Sequence, residues 1–428
     1  MKNALILVFL SIVFSTVQAQ TLSSEEQKIV SKTDQLFPQM MELLKESVNI
    51  NSGTFNVKGV KQVGDLYANE LRKLGFTIEW VQLPDSLKRA GHLVAYRKGK
   101  KGKKLFLIGH LDTVFEPDMP ANPFTKLTDS TITGQGINDM KGGDVIIIGA
   151  MKALADLKLL DDASITIYMT GDEENAGDPR EVSRGDFIKR AKEHDIALAF
   201  EGASGLNSIA TARRGASGWT LEVEARQGHS SGVFSGGGYG SIYEAVRIIN
   251  TFREQLSKEQ YLTFNPGLFI GGSEIDVDTE AQRGTASGKT NIISPKTVVI
   301  GDLRFLTEEQ KINARKTMLA ITQQNLPGSK ATIRFRDGIP SMAPTKGNKA
   351  LANELSKTSE ALGFGKVIPG NPGSRGAGDI SYVAAYVDCL DGMGASGRGA
   401  HAPGEVLNVK EFPNLMKRAA VFIYRLTR

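Results

Sequence analysis

His110, Asp112, Asp139, the adjacent pair Glu173 and Glu174, Glu201 and His401 are the side chains whose types and spacing could hold a metal and move a proton. His110 stands just past Lys104-Leu-Phe-Leu-Ile108, an apolar run closed by Gly109 that reads as a buried strand. Asp112 lies two residues on. In extended chain such positions share a face, so its carboxylate can accept the second ring N–H of a metal-bound imidazole. Glu173 and Glu174 follow a second strand-like run at 164–169, and Glu201 follows a third at 196–200. His401 comes after a fourth run, 386–390, and a Gly-rich loop, while Asp139 begins the turn into a helical segment. The carboxyl ends of strands in an open α/β sheet border the crevice where ligands gather. Singly, each residue has a plainer account: a hydrogen-bonded structural histidine, a helix-capping Asp139, a solvated acidic loop at 173–174. Together, in a chain with only five histidines, they point to a metal site. Mixed imidazole and carboxylate ligation suits zinc, with cobalt or manganese as neighbouring choices.

The elements that must position these groups follow from hydrophobic spacing. Residues 24–48 carry Ile29, Leu36, Met40, Leu43 and Leu44 at helical intervals, 62–74 reads as a second helix, and 144–157 aligns Val145, Ile148, Met151 and Leu154. Strands separated by helices predict an α/β sheet with parallel strands. The middle of the chain differs. Trp219-Thr-Leu-Glu-Val-Glu-Ala225 alternates as a half-exposed strand does, a helix covers 242–256, and a further alternating stretch precedes Thr297-Val-Val-Ile-Gly-Asp-Leu-Arg-Phe305. A helix over 308–323 and a strand over 331–335 complete the order strand, helix, two strands, helix, strand of a ferredoxin-like unit. This predicts an inserted domain at 215–336 that interrupts a larger α/β domain built from 20–214 and 337–428.

Lys2 and Asn3, the apolar run 4–14 and the small residues around Val17-Gln-Ala19 form a secretory signal peptide, cut near Ala19–Gln20. The mature chain is therefore expected to be exported, to the periplasm or beyond, with no membrane association. The balance of 52 Lys and Arg against 47 Asp and Glu gives no reason to invoke nucleic acid, and the single Cys389 excludes an internal disulfide and a Cys-rich zinc module. Two further motifs carry no function. Gly284-Thr-Ala-Ser-Gly-Lys-Thr290 is one residue short of a phosphate loop, and the basic run from Arg97 to Lys104 reads as a solvated turn.

Gly109-His-Leu-Asp-Thr113, Gly134-Gln-Gly-Ile-Asn-Asp-Met-Lys-Gly-Gly143, Gly171-Asp-Glu-Glu174 and Gly399-Ala-His-Ala-Pro403 together resemble the M20 family of metallopeptidases, in the family's order and spacing. That family includes glutamate carboxypeptidase, succinyl-diaminopimelate desuccinylase and the aminoacylases. The resemblance implies a zinc-exopeptidase-like catalytic domain with a mixed, mostly parallel sheet, interrupted by a ferredoxin-like lid and dimerisation domain. It implies two zinc ions bridged by Asp139, one completed by His110 and Glu201, the other by Glu174 and His401, with Asp112 behind His110. Glu173 would be the general base, and the Asp139–Met140 peptide bond would be cis. His229, in Gln-Gly-His-Ser-Ser231, matches a lid histidine that hydrogen-bonds the reacting carbonyl, in several members across a dimer interface. Asn291 and Arg304 match residues that hold a substrate carboxylate.

The chain also departs from the family's pattern. The segment after Glu201 lacks the lysine of glutamate-specific relatives, although Arg213 and Arg214 lie a little further on. Ser374-Arg-Gly-Ala-Gly-Asp379 replaces the usual Gly-Gly-Ser-Asp type of loop. The expected activity is zinc-dependent, carboxypeptidase-like cleavage of a small peptide with a free carboxylate. N-acyl-amino-acid hydrolysis, dipeptidase or aminopeptidase action remain open alternatives. So does, from another class, a binding protein with a dead metal centre, although none of the six ligand and base positions is broken.

Overall fold

The computed structural model describes residues 21–428, so the expected signal peptide lies outside the described residues. The chain opens with α1 (Ser24–Asn49), started by a reciprocal capping box between Ser23 and Glu26, and α2 (Val57–Lys73), capped by Asn56. Strands β1 (Thr77–Val81), β2 (His92–Arg97) and β3 (Lys101–His110) precede α3 (Gly142–Asp156). Then come β4 (Ala163–Thr170), α4 (Arg180–Ala191) and β5 (Ile196–Ala199).

The inserted unit follows: β6 (Gly215–Ala225), α5 (Gly240–Leu256), β7 (Thr263–Gly272), β8 (Lys296–Phe305), α6 (Glu308–Thr322) and β9 (Ser329–Asp337). The chain returns through α7 (Lys346–Ala361), β10 (Asp388–Asp391) and α8 (Phe412–Leu426).

The first sheet has the order β1-β2-β4-β3-β5-β10. Strands β4, β3, β5 and β10 run parallel, and β2 and β1 are added antiparallel at the edge opposite β10. The inner strands are apolar on both faces because helices cover both. On one face α3 is buried along most of its length beneath α1 and α8, with Ile147, Met151, Met416 and Ala420 fully buried. On the other, Phe106 and Tyr168 pack edge-on against Phe187 of α4.

The inserted unit is a four-stranded antiparallel sheet of order β7-β8-β6-β9, the ferredoxin-like arrangement. Alternate residues Trp219, Leu221 and Val223 of β6 point inward onto Ile248 and Phe252 of α5 and Met318 of α6, forming a core separate from that of the large sheet. Between β7 and β8 the chain makes an exposed hairpin of Glu274–Asp278 and Arg283–Ser287, which places the Gly284–Thr290 motif in a β-hairpin and not before a helix.

Candidate metal centre

The parallel strands deliver the acidic and imidazole groups to one place because all of them end on the same side of the sheet. His110 is the last residue of β3, Glu173 and Glu174 lie three and four residues past β4, and Glu201 lies two past β5. Asp139 enters from the loop before α3, and His401 from the turn between two short strands, Gly397–Arg398 and Val406–Asn408. Two glycines let these backbones close up. A Cβ on Gly143 would lie 1.9 Å from the carbonyl of Phe200, so the Asp139 loop can sit directly against the approach to Glu201 only with glycine there. A Cβ on Gly109 would collide with Asp144.

The result is two groups of ligand atoms that share Asp139. His110, Asp139 and Glu201 form one; Asp139, Glu174 and His401 form the other, and within each group the donor atoms lie within 4.8 Å of one another. His110 Nε2 is 3.3 Å from Asp139 Oδ1 and 3.8 Å from Glu201 Oε1. His401 Nε2 is 3.0 Å from Asp139 Oδ2 and 3.1 Å from Glu174 Oε2. Each oxygen of Asp139 therefore serves one group. The Asp139–Met140 peptide bond is cis.

The electrostatics fit cations. Burial pushes the Glu173 and Glu174 carboxyls up, with the Glu201 carboxylate adding to the rise at Glu173. Burial and Asp139 push Glu201 up to about 8. His110 is buried, which opposes its charge, yet the Asp112 and Asp139 carboxylates outweigh this and raise it. Hydrogen bonds that His401 donates to the Asp139 and Glu174 carboxylates push it up to about 11. Four carboxylates converging on two imidazoles leave an excess of buried negative charge, which must be neutralised by protons or by cations. Glu174 Oε1 is buried with no hydrogen-bond partner, an acceptor left for something other than this chain. Two carboxylate-imidazole groups sharing a bridging aspartate suit a pair of divalent cations with mixed N and O ligation.

Asp112 works differently from the expectation. The chain bends at Leu111, so the group nearest His110 Nδ1 is the Asp112 backbone carbonyl, at 3.0 Å, with the carboxylate at 3.6 Å. The carbonyl fixes the ring so that Nε2 faces the cluster. The freed carboxylate holds the acidic loop instead: Oδ1 accepts the Glu173 amide at 2.9 Å, and Oδ2 accepts the Glu174 amide at 3.2 Å and the Thr54 hydroxyl at 2.6 Å. Behind that loop His92 is buried, donating through Nε2 to the Ser183 carbonyl and accepting the Gly171 amide. Buried Arg184 ties Asp172 to Asp379, which also accepts the Thr170 hydroxyl.

Glu405 is the functional residue that the sequence reading passed over. Its fully buried carboxylate accepts the amides of Gly136 at 3.1 Å, Asn138 at 2.6 Å and Asp139 at 2.8 Å. It thereby clamps the bridging aspartate to the loop that carries His401. The one available signal was an acid four residues beyond His401 in an otherwise glycine-rich turn. Glu405→Ala is expected to lower metal affinity about 10- to 100-fold, the usual cost of losing a partner behind a ligand. Titration calorimetry with zinc on the chelated protein checks this. Wild-type affinity would make Glu405 a packing residue only.

The lid residues are not part of this cluster. His229 is exposed, pairs with Ile292 across a short two-strand ladder and bonds Ser231 Oγ at 2.8 Å. Asn291 lies beside it, its carbonyl accepting the Ser230 amide. Arg304 is at the other end of β8, paired in register with Ala216 and Thr263, and its Nε donates to Asp302 at 3.0 Å. No hydrogen bond or ion pair joins any of the three to the cluster among the described residues.

A ferredoxin-like unit inserted into an α/β domain, with two candidate ligand groups sharing an aspartate at the strand ends, is the arrangement of a metal-dependent hydrolase. Residues 106–425 match the model of peptidase family M20/M25/M40, and the chain belongs to that family. It is 26% identical to carboxypeptidase G2 of Pseudomonas sp. (strain RS-16) over 396 residues, covering 91% of this chain and 89% of that one. Among solved structures it resembles a tripeptidase from Staphylococcus aureus, with a TM-score of 0.69 and 18% identity, over 92% of this chain and 99% of that one. It also resembles a dinuclear metal-binding M20 peptidase from Bacillus subtilis, with a TM-score of 0.64 and 13% identity, over 92% and 99% of the two chains. The protein is thus a metallopeptidase or amidohydrolase.

Proposed function

We propose that this protein is an exported, zinc-dependent exopeptidase that cleaves the amide bond of a small substrate bearing a free carboxylate, in the manner of a carboxypeptidase. The observation that carries the reading is the pair of ligand groups sharing Asp139, with Glu173 beside them but in neither. His110, Glu201, Asp139, Glu174 and His401 would hold the two cations, which when bound polarise the scissile carbonyl and acidify a water. Glu173 takes the proton of the attacking water and delivers it to the leaving amine. Its raised affinity for a proton, from burial and the nearby Glu201 carboxylate, suits a group that must both accept and return one.

The lid residues serve this reaction in pairs from different subunits. Eight residues along β8 separate Lys296, beside the Asn291 and His229 end, from Arg304, a span of about 26 Å at the rise of a strand. One small substrate cannot touch both ends of one lid. Arg304 lies near the catalytic domain, since its neighbour Thr263 accepts from Arg214, whose guanidinium also reaches the Gly373 carbonyl. His229 and Asn291 instead point to a partner's site. The lid exposes Phe234, Tyr243 and Val246 around α5 and Phe269 on the edge strand β7, an apolar surface that a second copy would cover.

Purified mature protein, chelated and then restored with zinc, is expected to cleave dipeptides with a free C-terminal carboxylate and to lose that activity on chelation. C-terminally blocked dipeptides should be poor substrates. Cleavage that requires a free amine would shift the reading to an aminopeptidase or dipeptidase, preference for N-acyl amino acids to a deacylase, and failure to bind metal would end it.

A further inference from the structure

The loop Ser374-Arg-Gly-Ala-Gly-Asp379 brings a guanidinium to the rim of the metal centre. Arg375 Nη2 donates to the Gly202 carbonyl at 2.7 Å and to Ser204 Oγ at 3.1 Å. Gly202 directly follows the ligand Glu201, so the arginine is fixed one residue from the metal centre. Its other flank packs against Gly392. Nε and Nη1 have no protein partner among the described residues, and no carboxylate stands within ion-pair distance of the group. Neighbouring arginines are placed otherwise. Arg213 is spent on Asp391 and the Gly376 carbonyl. Arg184 is spent on Asp172 and Asp379. Arg375 alone of these three is half-exposed, held rigid through one nitrogen and left with free donors. Arg214, on the lid side of the same loop, has a buried Nε without a partner and adds positive potential there.

A guanidinium whose position is fixed by the Gly202 carbonyl and Ser204 Oγ, and whose remaining N–H groups have no protein partner among the described residues, is preorganised for an anionic oxygen ligand. We infer that Arg375 is a specificity residue that binds a carboxylate of the substrate's terminal residue, next to the scissile amide. This rests on the hydrolase reading above and names its substrate class. The chain lacks a lysine in the segment after Glu201, and Arg375 supplies a cation to that segment from a distant part of the sequence. The carboxylate could be the substrate's C-terminal group or the side chain of an acidic terminal residue. Both present the same chemistry, and the substrates below separate them.

The test compares zinc-loaded wild type with Arg375→Met and Arg375→Lys. The substrates are three dipeptides ending in glutamate, in glutamine, and in glutamate with an amidated C-terminus. For wild type, kcat/KM for the glutamate peptide should exceed that for at least one carboxylate-deleted peptide about tenfold or more, the value of a charge-assisted contact. Arg375→Met should collapse that ratio towards one, mainly through KM, and Arg375→Lys should restore part of it. Collapse of the glutamate-to-glutamine ratio assigns the side-chain carboxylate; collapse of the free-to-amidated ratio assigns the C-terminal one. A merely structural arginine would lower all three rates together and leave the ratios intact, which overturns the inference while the hydrolase reading stands. A wild type that binds zinc but cleaves none of the three overturns both.

Discussion

Glu173→Ala is expected to abolish hydrolysis while the protein keeps its full complement of metal. The two ligand groups are complete without this side chain, so its removal takes away no donor. Nor should it disturb the neighbouring ligand. The Glu173 and Glu174 amides are held by the two oxygens of Asp112, a backbone contact that survives truncation of Glu173 beyond Cβ. What disappears is a carboxylate beside the centre that belongs to neither ligand group, and with it the proposed acceptor for the water's proton. General base catalysis contributes on the order of 10²- to 10⁴-fold, and here the same group must also protonate the leaving amine, so the loss falls at or beyond the upper end. Turnover of the best dipeptide, measured beside metal content by mass spectrometry, decides it. A rate near wild type would place the base elsewhere, and loss of metal would make Glu173 a ligand. Glu173→Gln should behave alike, because it keeps the shape and removes only the basicity.

The site was legible in the sequence where a strand ending supplies a chemically distinctive residue. His110, Glu173, Glu174 and Glu201 each follow an apolar run by a few residues, and parallel strands in one sheet must bring such positions together. The antiparallel strands β1 and β2 were not legible. Thr77–Val81 is only half-buried and carries Glu79, so its apolar signal is weak, and only its pairing with β2 makes it a strand. Helices α4, α7 and α8 went unread although α8 is amphipathic. Its burial depends on α1 and α3, which come from the far end of the chain. Contacts across long sequence separations were the hardest to foresee. Glu405 reaches Asp139 over 266 residues, and no local pattern marks an acid whose partners are three backbone amides. Asp112 illustrates a subtler miss. Its residue type and spacing suggested the right neighbour, but one bend at Leu111 gave the histidine to its carbonyl and the acidic loop to its carboxylate.

His229→Ala is expected to lower turnover by about 10²- to 10³-fold with metal still bound, the usual cost of removing one donor to a developing oxyanion. The informative form of the experiment uses two inactive proteins. If His229 serves the partner's centre, each active site draws Glu173 from one subunit and His229 from the other. A mixed dimer of Glu173→Ala and His229→Ala subunits then contains one site carrying both defects and one site carrying neither. Random exchange of equal amounts, through a short denaturation and refolding or by coexpression, would recover about a quarter of the wild-type rate per subunit, because half the dimers are mixed and half their sites are whole. The position of His229 favours this outcome. It is exposed, its side chain bonds only Ser231 among the described residues, and it lies by the end of β8 that is some 26 Å along the lid sheet from Arg304, the end that adjoins its own catalytic domain. Recovery without lid contact is impossible, so Val246→Asp on the exposed face of α5 should prevent it if that face is the interface. No recovery from a mixture shown by mass to contain mixed dimers would mean that His229 acts within its own subunit, and the lid would then have to close far enough to carry its distal end to the metal centre.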